Sequence, residues 1–251
     1  MLSILNTFNI FNDVPTPYSV YFQDSATPQM EGIIELHDNI MFYILLIVVL
    51  VCWMITSAMV NFNEYNNHFA MKYLNHGMVL EIVWTIFPCL ILLMIASPSF
   101  ILLYLNDEVV LPAMLVKAIG YQWYWSYELS DFLNTLTNQT IEFDSYLLND
   151  EMLELGQIRW LDVDLWLYVP TNLHIRFIIL SMDVIHDFAV PSLGIKIDAN
   201  PGRLNMLSVI INRNGVYYGM CSELCGVGHS MMPIKIESVN VEDFLSNIME
   251  Y

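Results

Sequence analysis

The sequence predicts a membrane-anchored all-β protein, a two-helix transmembrane hairpin followed by a β-sandwich or barrel. Three observations carry this prediction. Hydrophobic residues make up 56% of the 251-residue chain and charged residues only 14%, too apolar for an ordinary soluble domain. Two apolar runs long enough to cross a bilayer lie before Leu105. Beyond Leu105 the pattern changes to short alternating runs separated by turn signals. The formal net charge is −18, so the polar part is strongly acidic. The length allows one or two domains.

Met1–Phe11 is a short apolar and polar start without Lys or Arg, so it lacks the basic region of a secretory signal. Asn12-Asp-Val-Pro-Thr-Pro-Tyr18 is broken by prolines and predicts extended chain. Gln29–Asp38 predicts a short, partly helical lead-in to the membrane. Ile40 to Val60 is almost unbroken in apolar residues, and about 20 residues at roughly 1.5 Å each span a bilayer core. Asn61–Gly77 is a polar loop with Lys72 as its only formal positive charge. Met78 to Leu105 forms the second span and carries Pro88 and Pro98. Two spans place both ends of the chain on one side. The tail is acidic and the loop is not, so the tail is expected to face away from the positive-inside compartment. Glu81 lies near the loop end of the second span, where it is either a functional intramembrane carboxylate or a solvated interfacial one.

Met114–Ile119, Leu173–Ile179 and Met232–Glu237 alternate as half-buried strands do. Asn149-Asp150, Asn200-Pro-Gly202 and Asn214-Gly215 mark turns, the last with the flanks of a hairpin. Regularly spaced short strands predict an antiparallel sandwich or barrel. Val241–Glu250 reads as a short amphipathic helix. From Asp107 onward there are nineteen acidic and seven basic residues, a difference of −12. That disfavours a nucleic-acid partner, which needs a basic face, and suits a basic protein steered by long-range attraction. Asn138-Gln-Thr140 matches a glycosylation sequon, a short match that is frequent by chance.

The chemistry concentrates in Cys221-Ser-Glu223-Leu-Cys225-Gly-Val-Gly-His229-Ser-Met-Met232. One loop can bring two thiols, an imidazole and a thioether to one point. Such soft donors select copper, zinc or iron–sulfur over magnesium or calcium, and the thioether favours copper. A lone blue-type copper needs a single thiolate, so this loop has one Cys too many. The missing imidazole is assigned to His186 in Asp183-Val-Ile-His186-Asp187-Phe188. A bare Cys-x-x-x-Cys would equally suit a disulfide, a redox pair or half of a structural zinc site; His229 and Met232 tip the balance to copper. The other two of the four cysteines, Cys52 and Cys89, sit in apolar runs, so no disulfide framework is indicated. Gly120-Tyr121-Gln122-Trp123-Tyr124-Trp125-Ser-Tyr127 is aromatic-rich. As one strand it would put Tyr121, Trp123, Trp125 and Tyr127 on one face and Tyr124 on the other. Core packing or a membrane-interface belt accounts for most such stretches; a surface Trp beside a metal is also a route for electrons.

Taken together, these motifs resemble the subunit 2 family of cytochrome c oxidases, in the pattern of the fungal mitochondrial form. The resemblance runs from Asn12 nearly to the end of the chain. It rests on the hairpin, on Gly-Tyr-Gln-Trp-Tyr-Trp, on Asp-Val-Ile-His-Asp-Phe-Ala-Val-Pro-Ser-Leu-Gly-Ile-Lys, on Asp-Ala-Asn-Pro-Gly-Arg-Leu-Asn and on the Cys-x-x-x-Cys loop. It implies a cupredoxin-like β-domain over residues 106–251, a hairpin over 39–105, an N-terminal segment over 12–38 and a cleaved leader over 1–11. It also implies a binuclear copper A centre held by bridging Cys221 and Cys225, terminal His186 and His229, the weak axial Met232 and the carbonyl of Glu223. The Glu223 carboxylate would hold magnesium at the boundary with the haem-bearing catalytic subunit. Trp123 would receive the electron from cytochrome c, Glu128 and Asp183 would belong to its acidic docking face, and Glu81 would stand at the mouth of a proton channel. The implied setting is the mitochondrial inner membrane, with both terminal segments in the intermembrane space and with lipid and other oxidase subunits as partners. The implied activity is electron transfer supporting oxygen reduction to water coupled to proton pumping. Where many members have Ser-Trp after the histidine, this chain has Asp187-Phe188, and Asp187 is expected to point outward.

Overall fold

The structure is a computed structural model that describes residues 11–63, 65, 73, 75–108, 111–133 and 139–248. The leader over 1–11 lies outside these residues except for Phe11, as do Lys72 and Asn138. Two compact units form: Gly32–Tyr104, and the β-domain from Leu105 together with the N-terminal segment up to Glu31.

The hairpin consists of α1 (Pro28–Asn61, 34 residues) and α2 (Met78–Asn106, 29 residues). At about 1.5 Å per residue each exceeds the roughly 30 Å hydrocarbon core. Large apolar side chains such as Phe42, Trp53, Trp84 and Leu93 lie exposed along both. The predicted lead-in is not separate from the first span; the helix runs on from Pro28. Local chemistry explains this start. Thr27 Oγ1 accepts the Met30 N–H at 3.1 Å as an N-cap, and Pro28 follows at the first helical position, where its missing N–H costs nothing. The same hydroxyl donates to the Leu193 carbonyl at 2.8 Å, so this cap is tied to the β-domain. Within the hairpin, Tyr43 OH reaches Met94 Sδ at 3.8 Å.

The β-domain is a two-sheet sandwich. One sheet has the order β4 (Thr140–Ser145), β3 (Tyr124–Leu133), β2 (Met114–Tyr121), β6 (His174–Ser181), β9 (Asn205–Ile210). The other has β5 (Leu167–Pro170), β11 (Pro233–Val239), β10 (Gly215–Cys221), β7 (His186–Val190), β8 (Ile195–Ala199), with β1 (Phe11–Asp13) pairing β10. A short α3 (Val241–Asn247) follows β11.

Two expectations are corrected. The sheets are mixed, not antiparallel: β2–β6, β5–β11 and β1–β10 are parallel pairs. Strands far apart in sequence come side by side through crossovers between the sheets, the connection that parallel pairing requires. Asn214-Gly215 makes no hairpin either, because β9 pairs β6 in one sheet and β10 lies in the other.

The alternating burial of β2 and β6 puts Val116, Ala118, Ile175, Phe177 and Ile179 inward. Trp125 and Phe188 meet edge to face in the core, centroids 5.0 Å apart. The strands β7 and nearly all of β10 are buried on both faces. They pair antiparallel at Cys221↔Phe188, which brings the first residue of β7 beside the last residue of β10. The N-terminal segment is also fastened here. Arg213 Nη2 donates to Asp13 Oδ2 at 2.6 Å, and the amide of Ala26 donates to the Ser192 carbonyl at 3.0 Å.

Candidate metal centre

The junction of β7 and β10 holds His186 and Cys221, and the loop leaving β10 returns with Cys225, His229 and Met232. Cys221 Sγ and Cys225 Sγ are 3.9 Å apart, and Cys221 Sγ lies 3.9 Å from His186 Nδ1. Cys225 Sγ lies 3.6 Å from both His229 Nδ1 and Met232 Sδ. The Glu223 carbonyl is 3.3 Å from Cys221 Sγ. With metal–sulfur bonds of about 2.3 Å, donors around one tetrahedral ion stand roughly 3.7 Å apart. The spacing is therefore that of donors sharing a metal, and the donor atoms of His186, Cys221 and Cys225 all fall within 4.8 Å of one another.

Cys221, Cys225, Met232 and His186 are almost wholly buried, His229 is half-buried and Glu223 is exposed. Both thiols are free of disulfide. Burial pushes the Cys221 thiol up, but hydrogen bonds from His186 and the neighbouring backbone outweigh it and bring the group down to about 7. Cys225 moves the other way, raised by burial and by the adjoining Cys221. One thiolate thus forms readily and the second needs a cation, which a coordinating metal supplies outright.

Every sequence-predicted residue of the copper set converges: His186, Cys221, Glu223, Cys225, His229 and Met232. Trp123 joins them by a route that the sequence reading missed. The aromatic stretch is a hairpin and not one strand; β2 ends at Tyr121, β3 starts at Tyr124, and Gln122-Trp123 forms the turn. Tyr121 and Tyr124 therefore pair across it and stack, centroids 4.9 Å apart, while Trp125 and Tyr127 go to the core. At the turn, Trp123 Nε1 donates to the Cys225 carbonyl at 3.2 Å, and Gln122 Nε2 donates to the same oxygen at 2.8 Å. Glycines make the seat. A Cβ on Gly228 would stand 2.4 Å from the indole of Trp123, and Gly226, at φ +118°, would bring one within 3.1 Å.

The remaining predicted residues are spoken for locally. Glu128 pairs with Lys117 at 2.6 Å, both side chains partly exposed. Asp183 accepts from His186 Nε2 at 2.8 Å, from the Gln122 amide at 2.7 Å and from the Val184 amide at 2.6 Å. Burial works to raise its pKa, but these hydrogen bonds hold the carboxyl below the usual range. Glu81 stands in the first turn of α2 and accepts the Gly77 amide at 3.1 Å, so it caps its own helix. Asp187 does not point outward as expected: the pleat turns it to the face opposite His186, but its side chain is buried and Oδ1 has no hydrogen-bond partner. That burial, the largest cause, raises its pKa.

Comparison with known proteins agrees with this geometry. The family model for the periplasmic domain of cytochrome c oxidase subunit II matches residues 114–239, and the model for its transmembrane domain matches residues 15–102. Cytochrome c oxidase subunit 2 of Candida glabrata is 60% identical across the whole of both chains. That of Saccharomyces cerevisiae is 61% identical over 98% of this chain and 96% of its own. Among solved structures, the periplasmic domain of subunit II of cytochrome oxidase from Bradyrhizobium japonicum is 42% identical, with a TM-score of 0.50. It covers 57% of this chain and 96% of that one. The two apolar helices, the sandwich and the sulfur–imidazole cluster thus belong to a chain of the cytochrome c oxidase subunit II family, a subunit of a haem–copper oxidase.

Proposed function

We propose that the chain is the electron-input subunit of its oxidase. It accepts electrons from reduced cytochrome c at a binuclear copper A centre and passes them to haem in the catalytic subunit, which reduces oxygen to water while pumping protons. The observation that carries this reading is the pair of thiols 3.9 Å apart, ringed by two imidazoles, a thioether and a carbonyl. Six donors exceed the four that one tetrahedral ion takes, and they suit two ions sharing two thiolates. When bound, the copper pair supplies a one-electron site whose charge is spread over two metals.

The chain's own residues do the rest. Cys221, Cys225, His186, His229, Met232 and the carbonyl of Glu223 would hold the pair. The scaffold resists rearrangement because both strands that deliver ligands are buried on both faces. Trp123, half-exposed and bonded to the Cys225 carbonyl, receives the electron. The exposed carboxylate of Glu223 is suited to hold magnesium at the boundary with the catalytic subunit. Glu128 lies in the acidic face offered to cytochrome c, and Glu81 opens the proton channel from the loop side.

The setting is the mitochondrial inner membrane, with both terminal segments in the intermembrane space. Ala26 and Thr27 bond to the Ser192–Leu193 turn, which supports a common side for the N-terminal segment and the β-domain. Mixing reduced cytochrome c with the oxidised oxidase tests the reading. Trp123→Phe is expected to slow electron input with affinity nearly intact, and affinity is expected to fall with salt. Normal input from the Phe variant would reduce Trp123 to packing, and salt-independent affinity would remove the docking face.

A further inference from the structure

Two hydrogen-bond systems meet at Asp183, and together they join places 61 residues apart in sequence. On one side, Oδ1 takes the Nε2–H of the buried His186, whose Nδ1 is turned toward Cys221. A carboxylate on the far nitrogen fixes which ring nitrogen is left for the metal and how the ring is aimed. On the other side, Oδ2 takes the backbone N–H of Gln122, the first residue of the β2–β3 turn. Val184 donates its amide to Oδ1 and Ser181 Oγ stands 3.3 Å from it, so the carboxylate is gripped on several sides.

The Gln122–Trp123 turn is then held from the opposite direction. The Gln122 side chain and the Trp123 indole both donate to the carbonyl of Cys225, and the indole lies against Gly226 and Gly228. The chain of contacts runs from the copper loop through Trp123 and Gln122 to Asp183 and back to His186. A carboxylate engaged in this way is poorly placed to serve mainly as a free surface charge.

We propose that Asp183 is a positioning residue whose carboxylate ties the electron-receiving turn at Gln122–Trp123 to the copper ligand His186, setting the seat of the one and the aim of the other. This rests on the copper reading above. It departs from the docking role that the family resemblance implies for the same side chain.

The test is made on the assembled oxidase and separates charge from position. Asp183→Glu keeps the charge but moves the oxygens by a methylene, whereas Asp183→Asn keeps the shape and removes the charge. Positioning predicts that Asp183→Glu shifts the potential of the copper centre, changes its imidazole hyperfine signature and slows electron input about tenfold. The salt dependence of cytochrome c affinity stays as in the wild type. A Glu variant that matches the wild type in potential, spectrum and input rate, while Asp183→Asn weakens affinity alone, would overturn the proposal. Hydrogen exchange in the unmodified oxidase gives a check that needs no variant to fold. The Gln122 amide should be protected although it lies in an exposed turn, and exchange at the rate of a free turn amide would also overturn it. Failure of the copper reading would look different, since the wild-type oxidase would then lack the copper signal altogether.

Discussion

The copper loop and the mouth of the second membrane helix end up in different conditions within one chain. In the loop, each donor finds another donor of the same chain at 3.3–3.9 Å, and the carboxylate behind His186 is itself bonded four times. At the helix mouth, Glu81 meets the first turn of its own helix. The difference separates a site that one chain closes by itself from a site that one chain only begins. A metal centre needs several soft donors at fixed distance, and a β-scaffold can hold them all. The proton channel proposed at Glu81 would need a path, which other subunits would have to supply beside the carboxylate.

Variants that break the comparison differ greatly in expected effect. Cys225→Ser removes the sulfur that touches both His229 and Met232, so metal content and the coloured spectrum should be lost outright; metal analysis checks this. Gly228→Ala would drive a methyl group into the Trp123 indole. Electron input should slow by about tenfold or more while the copper content holds, since a misplacement of about 1 Å can cost that much. A normal rate would show that the indole seat does not matter. Met232→Leu should keep copper and shift its potential, because a weak axial ligand tunes a copper site; an unchanged potential would point to Met231 as the ligand. Glu81→Gln should leave electron input untouched, lower proton-coupled turnover and keep the helix cap, since an amide oxygen still accepts the Gly77 N–H. Full turnover would leave Glu81 with its capping role alone.

Asp187 gives the smallest effect and a pH signature. Folding raises its pKa by burial, so the folded chain holds the proton more tightly than the unfolded chain does. Ionisation therefore weakens folding, fully above the raised pKa, and the penalty shrinks as pH falls through that value and is gone below the unfolded one. Asp187→Asn should stabilise the β-domain at neutral pH by thermal unfolding, with the gain shrinking in acid. A gain that is the same at all pH values would contradict the buried-carboxylate account.

The sequence made the ligands legible because each belongs to a chemical class with few other uses: two thiols, two imidazoles and a thioether in short motifs. The spans were legible from length alone. What stayed hidden depended on contacts between distant segments. The bond from Thr27 to the Leu193 carbonyl needs the folded β-domain. Asn214-Gly215 carries a hairpin signal that the sheet topology overrides, because strand partners are chosen by the whole sandwich. The aromatic stretch reads as one strand because its two turn residues include a tryptophan, not the glycine or asparagine that marks most tight turns. The bond from the Gln122 amide to Asp183 joins residues 61 apart in sequence, so no local motif announces it.

The central claim is that two metal ions share the two thiolates of this loop. The most direct measurement is the metal content and paramagnetic spectrum of the full chain, purified free of other subunits, loaded with copper and oxidised. Two coppers per chain, a purple colour and a many-line signal from one electron shared between both metals are predicted. One zinc in a colourless protein, or a single copper with a mononuclear signal, would contradict it.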